Sequence, residues 1–488
     1  DAGPPHALHP TGGPMQIPEK GLSREQILGT LQAFKSRDMD WKSGKVWCYV
    51  YNPGDETAEL VRQAYLMFLT ENGLDPSVFP SMLKLETDVV RMVATLLRGD
   101  ENVVGHLTTG GTESIMLAVK TARDKARAEH PEITRPEMVL SRTVHAAFHK
   151  AAHYLGLKTV VTGLDPQTFR TDVEAMRAAI TPNTILLVAS APSYSQGVID
   201  PIAAIGKLAQ ERGLLFHVDA CVGGLHLSFM RKLGCELPDF DFTVPGVTSI
   251  SVDLHKYGYA AKGASVILYR DKSLRRYQIF ACTDTTAYTL INPTVLSSKS
   301  GGPMAGAWAI LNFLGDEGYM RMIQTVQDAS QRLIGGINAI PGLHVLGRPD
   351  MCMFSFAADG INVYQLADEM HKRGWYLQGQ FSTPQTPRSL HISVNYGTVH
   401  QVDAMLADLR ACVAIVQARP MDTQAIRDQV MQFLSSPTPQ AFQALAQMAG
   451  IAGKDLPEEL AVINEVLDAL PDEMANMVLI DYFNDLYV

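Results

Sequence analysis

The chain has 488 residues, of which 46% are hydrophobic, enough apolar material for a substantial core and two or three structural units. Its formal net charge of -10 gives no general attraction to nucleic acid or to anionic membranes, so nucleic acid is excluded as a partner class. No uninterrupted apolar run reaches the ~18 residues of a membrane-spanning helix, so no transmembrane segment is expected.

The opening DAGPPHALHPTGGP lacks the apolar centre of a signal peptide and reads as a loose arm over residues 1–20. The six cysteines are scattered, with no C-x-x-C pair and no Cys/His cluster at zinc spacing. No metal site is expected, and the thiols read as reduced, in a soluble cytoplasmic protein.

Ser23 is a good N-cap, and Ile27, Leu31 and Phe34 recur at helical spacing, which predicts a short helix over 23–37. The aromatic, turn-rich segment SGKVWCYVYNPGD (43–55) is either a strand with a hairpin end or a loop that lines a site. Leu85, Val89, Met92, Val93 and Leu96 fit one helical face. Beyond them, helices alternate with short apolar runs at Met138–Leu140, Thr159–Val161, Thr184–Ala189, Leu214–Val218, Ser249–Val252 and Ser265–Tyr269. That alternation predicts an α/β architecture with a mainly parallel sheet buried on both faces.

A long helix should follow Gly302 and lead into a smaller α+β unit. This unit has strands at Met353–Ala357 and Leu390–Val394, and helices near 363–373 and 400–416. SSPTP (435–439) reads as a linker, followed by an amphipathic helix near 457–470. The expected division is a 1–55 arm and dimer-site segment, a 56–315 large domain, a 316–416 small domain and a 417–488 helical extension.

Four features occur in a meaningful order: GGTES at 110–114, His145, HVDA at 217–220 and DLHKYGYAAKG at 253–263. Gly110 and Gly111 let the backbone approach an anion, Thr112 and Ser114 supply hydroxyls, and the first helical turn adds free N–H groups. Taken alone, GGTES is equally an ordinary Gly-rich turn. Asp219 ends an apolar strand and points to the crevice where α/β sheets bind ligands, although a lone Asp there is commonly a helix cap. Lys256 follows a strand, where burial is expected to lower its pKa and free the amine as a nucleophile. A single lysine is otherwise most often a solvated one. A phosphate cradle, an aromatic stacker, a carboxylate and a lysine in this order are what pyridoxal 5′-phosphate requires, the carboxylate keeping the pyridine nitrogen protonated.

The chain resembles the group II decarboxylase branch of the fold-type I pyridoxal-phosphate enzymes and, within it, the sphingosine-1-phosphate lyases. The resemblance spans about residues 43–415. It rests on VYNPGDE, DPSVFPSMLKLETDVV, TTGGTESIMLAVKTARDKAR, VHAAFHKAA, SAPSYSQGVIDPI, HVDACVGG and, most distinctively, SVDLHKYGYAAKG. It implies the transferase-like fold with a seven-stranded sheet and a homodimer with shared active sites. It also implies a Schiff base on Lys256, His145 stacked on the pyridine ring and Asp219 on its nitrogen. Gly111, Thr112 and His255 would lie at the cofactor phosphate, with Ser300 and Gly301 of the SGG run reaching it from the neighbouring subunit. Tyr51, also from the neighbour, and Lys262 would hold the substrate phosphate, and Tyr194 would lie near the reacting carbons.

The implied reaction is retro-aldol cleavage of the C2–C3 bond of a phosphorylated sphingoid base to a long-chain fatty aldehyde and phosphoethanolamine. Tyr194 and Lys256 are both candidates for the general base. One departure stands out: NGLDPSVFPS carries Asp75 where the family has a histidine, which leaves an amino-acid decarboxylase as the alternative. The intact set of Lys256, Asp219 and His145 argues against a non-catalytic scaffold.

Overall fold

The computed structural model describes residues 16–435, 457 and 459–487. The SSPTP linker lies outside the described residues from 436 onward, as does the arm before residue 16.

Seven strands form the main sheet: β1 (Val104–Thr108), β2 (Glu137–Ser141), β3 (Lys158–Thr162), β4 (Thr184–Ser190), β5 (Leu215–Asp219), β6 (Ser249–Asp253) and β7 (Ser265–Tyr269). Their order is β1-β7-β6-β5-β4-β2-β3. All neighbouring pairs are parallel except those made by β7, which runs against β1 and β6. The expected mainly parallel α/β fold is therefore present. β2, β4, β6 and β7 are buried along their whole length, because helices cover both faces and force near-continuous apolar runs. β1 (VGHLT) is the strand that hydrophobic runs alone do not reveal, since a glycine and a histidine interrupt it.

β8 (Phe280–Cys282) and β9 (Leu290–Asn292) pair as an antiparallel ribbon. The helix Gly302–Asn338 follows and breaks at Gly315, whose φ of 54° and ψ of -170° are not helical. A second sheet then forms from β10 (Leu343–Val345), β11 (Met353–Ala358), β12 (Gln378–Gln380) and β13 (Ser389–Ser393), in the order β10-β11-β13-β12, all antiparallel. One apolar cluster runs from Val89 and Phe216 in the first sheet's layers to Phe354 and Trp375 in the second, so the two sheets share a core. The last helices, Thr423–Ser435, Ala461–Ala469 and Asp472–Leu486, gather around Val430, Phe433, Val466 and Leu467.

The first helix, Arg24–Lys35, starts with a capping box between Ser23 and Gln26. None of its residues is buried, and Ile27, Leu31 and Phe34 face solvent. The segment 43–55 resolves as a short 3-10 turn, Trp41–Ser43, followed by a loop. A bridge from Val46 to Tyr376, and hydrogen bonds linking Trp47 to Tyr376 and Ser393, pin this loop to the second sheet.

Candidate active site

A cavity of about 430 Å³ opens at the carboxyl ends of the parallel strands, where α/β sheets place ligands. Its lining includes Gly111, Thr112, His145, Tyr194, Asp219, His255, Lys256 and Lys262. Elements far apart in sequence thus bring eight of the expected residues to one place.

The helix Gly111–Glu129 starts at the cavity wall without a side-chain cap, so its first N–H groups are available to an anion. Below it, Ser114 Oγ is hydrogen-bonded to Thr108 Oγ1 (2.7 Å) and Ser265 Oγ (2.8 Å), which ties the helix start to β1 and β7. Ser114 is therefore a structural hydroxyl rather than a cavity donor. A Cβ on Gly111 would lie 2.7 and 2.8 Å from the two oxygens of Asp253, so no side chain fits there.

Asp219 ends β5 and is 8% exposed. Its Oδ1 accepts the backbone N–H of Cys221 at 3.0 Å, with Ser251 Oγ at 3.5 Å. Behind it, His217 lies between Ser249 Oγ (2.8 Å) and Ser251 Oγ (3.1 Å), and burial lowers its pKa to about 4. The carboxylate is thus fixed in direction by neutral neighbours. His145 is exposed at the cavity edge, with Nδ1 accepting from the N–H of Ala147 at 3.1 Å.

Lys256 departs from the sequence expectation. Burial alone would lower its pKa, but nearby Asp253, with Cys221, Tyr51 and Asp219, more than offsets this, and the net shift is upward. The Asp253 Oδ2–Lys256 Nζ distance is 2.9 Å. Asp253 is the residue that motif reading passed over. A carboxylate three positions before the lysine in DLHK was the available signal. His255 donates from Nδ1 to the carbonyl of Ala264 (2.8 Å) and is held below its ordinary pKa by burial.

Tyr51 does not itself line the cavity but packs beside it in its own chain. Its ring is 5.0 Å from the ring of Tyr257, and the Lys262 ammonium sits 5.0 Å over it. Lys262 Nζ also donates to the carbonyl of Tyr49 (2.8 Å). Although the side chain as a whole is exposed, desolvation where it meets the cavity, with Lys256 nearby, lowers its pKa to about 8.

Tyr194 donates to Gln378 Oε1 at 2.8 Å and stacks on His391, with centroids 4.0 Å apart. Gln378 was not legible, since it sits in a three-residue polar strand. Ser300 and Gly301 do not line this cavity; the Ser300 hydroxyl donates to the carbonyl of Leu69 (2.9 Å). Asp75 lies away from it as well, its carboxylate accepting from the N–H and hydroxyl of Ser77 at 2.8 and 2.7 Å.

The donor set fits pyridoxal 5′-phosphate. Uncapped N–H groups could receive a phosphate, the buried Asp219 carboxylate could pair with a pyridinium, and the Lys256 amine lines the same cavity. The family model described as the pyridoxal-dependent decarboxylase conserved domain matches residues 5–358. A model described as the C-terminal HTH domain of a pyridoxal-dependent enzyme matches residues 421–485. A sphingosine-1-phosphate lyase of Arabidopsis thaliana is 42% identical over 412 residues, covering 83% of this chain and 74% of the relative. The solved sphingosine-1-phosphate lyase of Burkholderia pseudomallei is 36% identical with a TM-score of 0.79, covering 88% of this chain and 98% of that one. Glutamate decarboxylase of Lactobacillus brevis shares the fold at 19% identity and a TM-score of 0.74, covering 84% and 96%. The chain belongs to the pyridoxal-dependent decarboxylase family and, within it, to the sphingosine-1-phosphate lyase branch, and its cofactor is pyridoxal 5′-phosphate.

Proposed function

We propose that this enzyme cleaves the C2–C3 bond of phosphorylated sphingoid bases, giving a long-chain fatty aldehyde and phosphoethanolamine. The observation that carries the reading is Lys262. It is a second cation at the cavity that holds Lys256 and Asp219, held by a carbonyl and an aromatic face rather than by a carboxylate. An ammonium in that state is available to a substrate phosphate. The names of relatives at 37–42% identity support the same substrate class.

The bound cofactor supplies a sink for the electron pair released when the C2–C3 bond breaks. Lys256 would join to it, Gly111, Thr112 and His255 would hold its phosphate, and His145 would cover its ring. Asp219 would keep a proton on its ring nitrogen. Lys262 and Tyr51 would fix the phosphate end of the substrate, and with it the orientation of the bond to be broken. Cleavage requires the C3 hydroxyl proton to leave and a proton to reach C2, and Tyr194 and Lys256 both line the cavity in which this would happen. Tyr194 has its own proton committed to Gln378, and burial pushes its pKa up. It therefore offers a lone pair to the C3 hydroxyl, a hydrogen-bond acceptor rather than a strong base.

The working form would be a homodimer in which Ser300 and Gly301 complete the neighbour's phosphate site. The solvent-facing apolar stripe of helix Arg24–Lys35 and the exposed Phe280, Ile291, Val295 and Leu296 support it. The break at Gly315 supports a domain division at 315–316. The six free cysteines agree with a reducing, cytoplasmic setting, and no described helix is long and apolar enough to cross a membrane. Incubation with a phosphorylated sphingoid base should release a fatty aldehyde. Carbon dioxide released from amino acids, with no aldehyde formed, would establish the decarboxylase instead.

A further inference from the structure

We propose that Asp253 is a positioning residue that holds the Lys256 nitrogen in its protonated state through the exchange between lysine and substrate. The proposal rests on Lys256 as the cofactor lysine and is independent of the choice of substrate.

Asp253 is the last residue of β6 and is 3% exposed. One oxygen, Oδ2, lies 2.9 Å from Lys256 Nζ. The other, Oδ1, is buried and makes no direct hydrogen bond among the described residues, with the Ser265 side chain also acting on the carboxylate. Gly111 leaves no room for a side chain between this carboxylate and the cavity. A half-satisfied buried carboxylate is expensive, and an apolar pair of similar size would stabilise the fold as well or better. Such a pair in a cleft is the mark of a site in which charge is used.

The charged and titratable groups around the lysine single out Asp253. From its own segment come Asp253 and His255; from the end of β5, Asp219 and Cys221; from the 46–51 loop, Tyr51; and from the following turn, Lys262. Asp219 is engaged with the N–H of Cys221. Burial holds His255, whose Nε2 is 3.7 Å from Asp253 Oδ2, below its ordinary pKa, and Lys262 acts in the opposite sense. Asp253 is the carboxylate in contact with Nζ, and burial strengthens its effect.

The consequence falls on the exchange between lysine and substrate. In that exchange the substrate amine would take the place of the Lys256 nitrogen on the cofactor, and two protons would pass from the substrate ammonium to Lys256. A positive charge on the nitrogen joined to the cofactor would favour the entering amine. The departing lysine is then an ammonium, with a proton to give to C2 after cleavage. Asp253 favours the positive form on both sides of the exchange.

The test is a pH titration of the visible absorption of the holoenzyme. In Asp253→Asn the midpoint should fall by about one pH unit or more, since a negative neighbour has been removed. In Asp253→Glu it should stay near the wild-type value. A midpoint unchanged in Asp253→Asn would overturn the proposal. Should that variant not retain cofactor, thermal melting decides in the Lys256→Ala background. There Asp253 is a buried charge without its partner, so adding Asp253→Asn should raise Tm. A lowered Tm would mean a merely structural carboxylate and would equally overturn it. Peptide mapping after borohydride reduction identifies the cofactor lysine separately, so an error in that assignment is distinguishable.

Discussion

Lys262 donates to the main-chain carbonyl of Tyr49 across 213 residues of sequence, at 2.8 Å. The contact exists because Tyr49 adopts a left-handed backbone, φ 64°, at the end of a loop pinned to the second sheet. A tyrosine pays for that conformation, and here it presents the carbonyl to the ammonium. On the proposed reading, a substrate phosphate takes over this bond. A charge-assisted hydrogen bond contributes ~1.5–3 kcal/mol, so Lys262→Ala should lower kcat/KM for a phosphorylated sphingoid base roughly ten- to a hundredfold. Cofactor binding should change little. The measurement is the activity ratio between phosphorylated and unphosphorylated bases. An unaltered ratio in the variant would show that Lys262 is not the phosphate clamp.

The same amine sets a pH dependence. Its pKa of about 8 means that it is charged below that pH and loses its charge above it. A phosphate monoester is already close to dianionic at pH 8, so the substrate contributes little to the change. KM for the phosphorylated substrate should therefore rise as pH increases through 8. Lys262→Arg, which stays charged, should move the rise to higher pH. A KM that is flat from pH 7 to 9.5 in the wild type would remove Lys262 from substrate binding.

The parts of the site that the sequence makes legible are those with a local signature. Lys256, Asp219 and the Gly110–Gly111 turn each sit at a strand or helix end that hydrophobic periodicity locates, and the structure brings them together. What escaped depends on long-range packing. Gln378 meets Tyr194 only because a three-residue strand pairs with β13, and nothing in QGQ announces it. The place of Tyr51 is expected only on the resemblance to the lyases, since its loop has no periodicity and its path is set by the distant Tyr376 and Ser393. The direction of the Lys256 shift escapes the sequence for a related reason. Burial is visible in a pattern of apolar strands, whereas the orientation of Asp253 against it is not.

Gly111→Ala should damage cofactor retention. Its Cβ would meet both Asp253 oxygens inside 2.9 Å and the Cys221 sulfur at 3.0 Å. Either the carboxylate moves, taking the Lys256 contact with it, or the helix start withdraws from the cavity. Overpacking of this kind costs ~1–3 kcal/mol. Equilibrium dialysis should show cofactor held roughly ten- to a hundredfold more weakly. Wild-type affinity in Gly111→Ala would mean that this turn is not the phosphate cradle.

Asp219→Ala tests the other end of the cofactor. With the carboxylate removed, the hydroxyl of Ser251 and the neutral His217 remain, and neither stabilises a pyridinium. The phosphate end is untouched, so some cofactor should still bind while turnover falls by at least ~100-fold. Spectrophotometric cofactor content alongside aldehyde release separates the two effects. Turnover near the wild-type level would mean that another group protonates the ring.

Shared sites can be tested by mixing two inactive chains. Tyr51 already lies against Lys262 of its own chain, so a Tyr51 variant does not separate own-chain effects from effects across an interface. Ser300 is the better choice. It is exposed, does not line its own cavity, and borders a surface where Phe280, Ile291, Val295 and Leu296 are exposed. Ser300→Asp leaves the fold's apolar contacts in place and adds a carboxylate where the neighbour's cofactor phosphate would lie. Each homodimer, Ser300→Asp or Lys256→Ala, should then be inactive for a different reason. In a mixed dimer, one site combines Lys256 of the first chain with Ser300 of the second and carries neither defect; the other site carries both. Random mixing makes half of the dimers mixed, so roughly a quarter of all sites should work. Aldehyde release after unfolding and co-refolding the two variants measures this directly. If no activity returns while size-exclusion chromatography shows that mixed dimers have formed, Ser300 does not serve the neighbouring site.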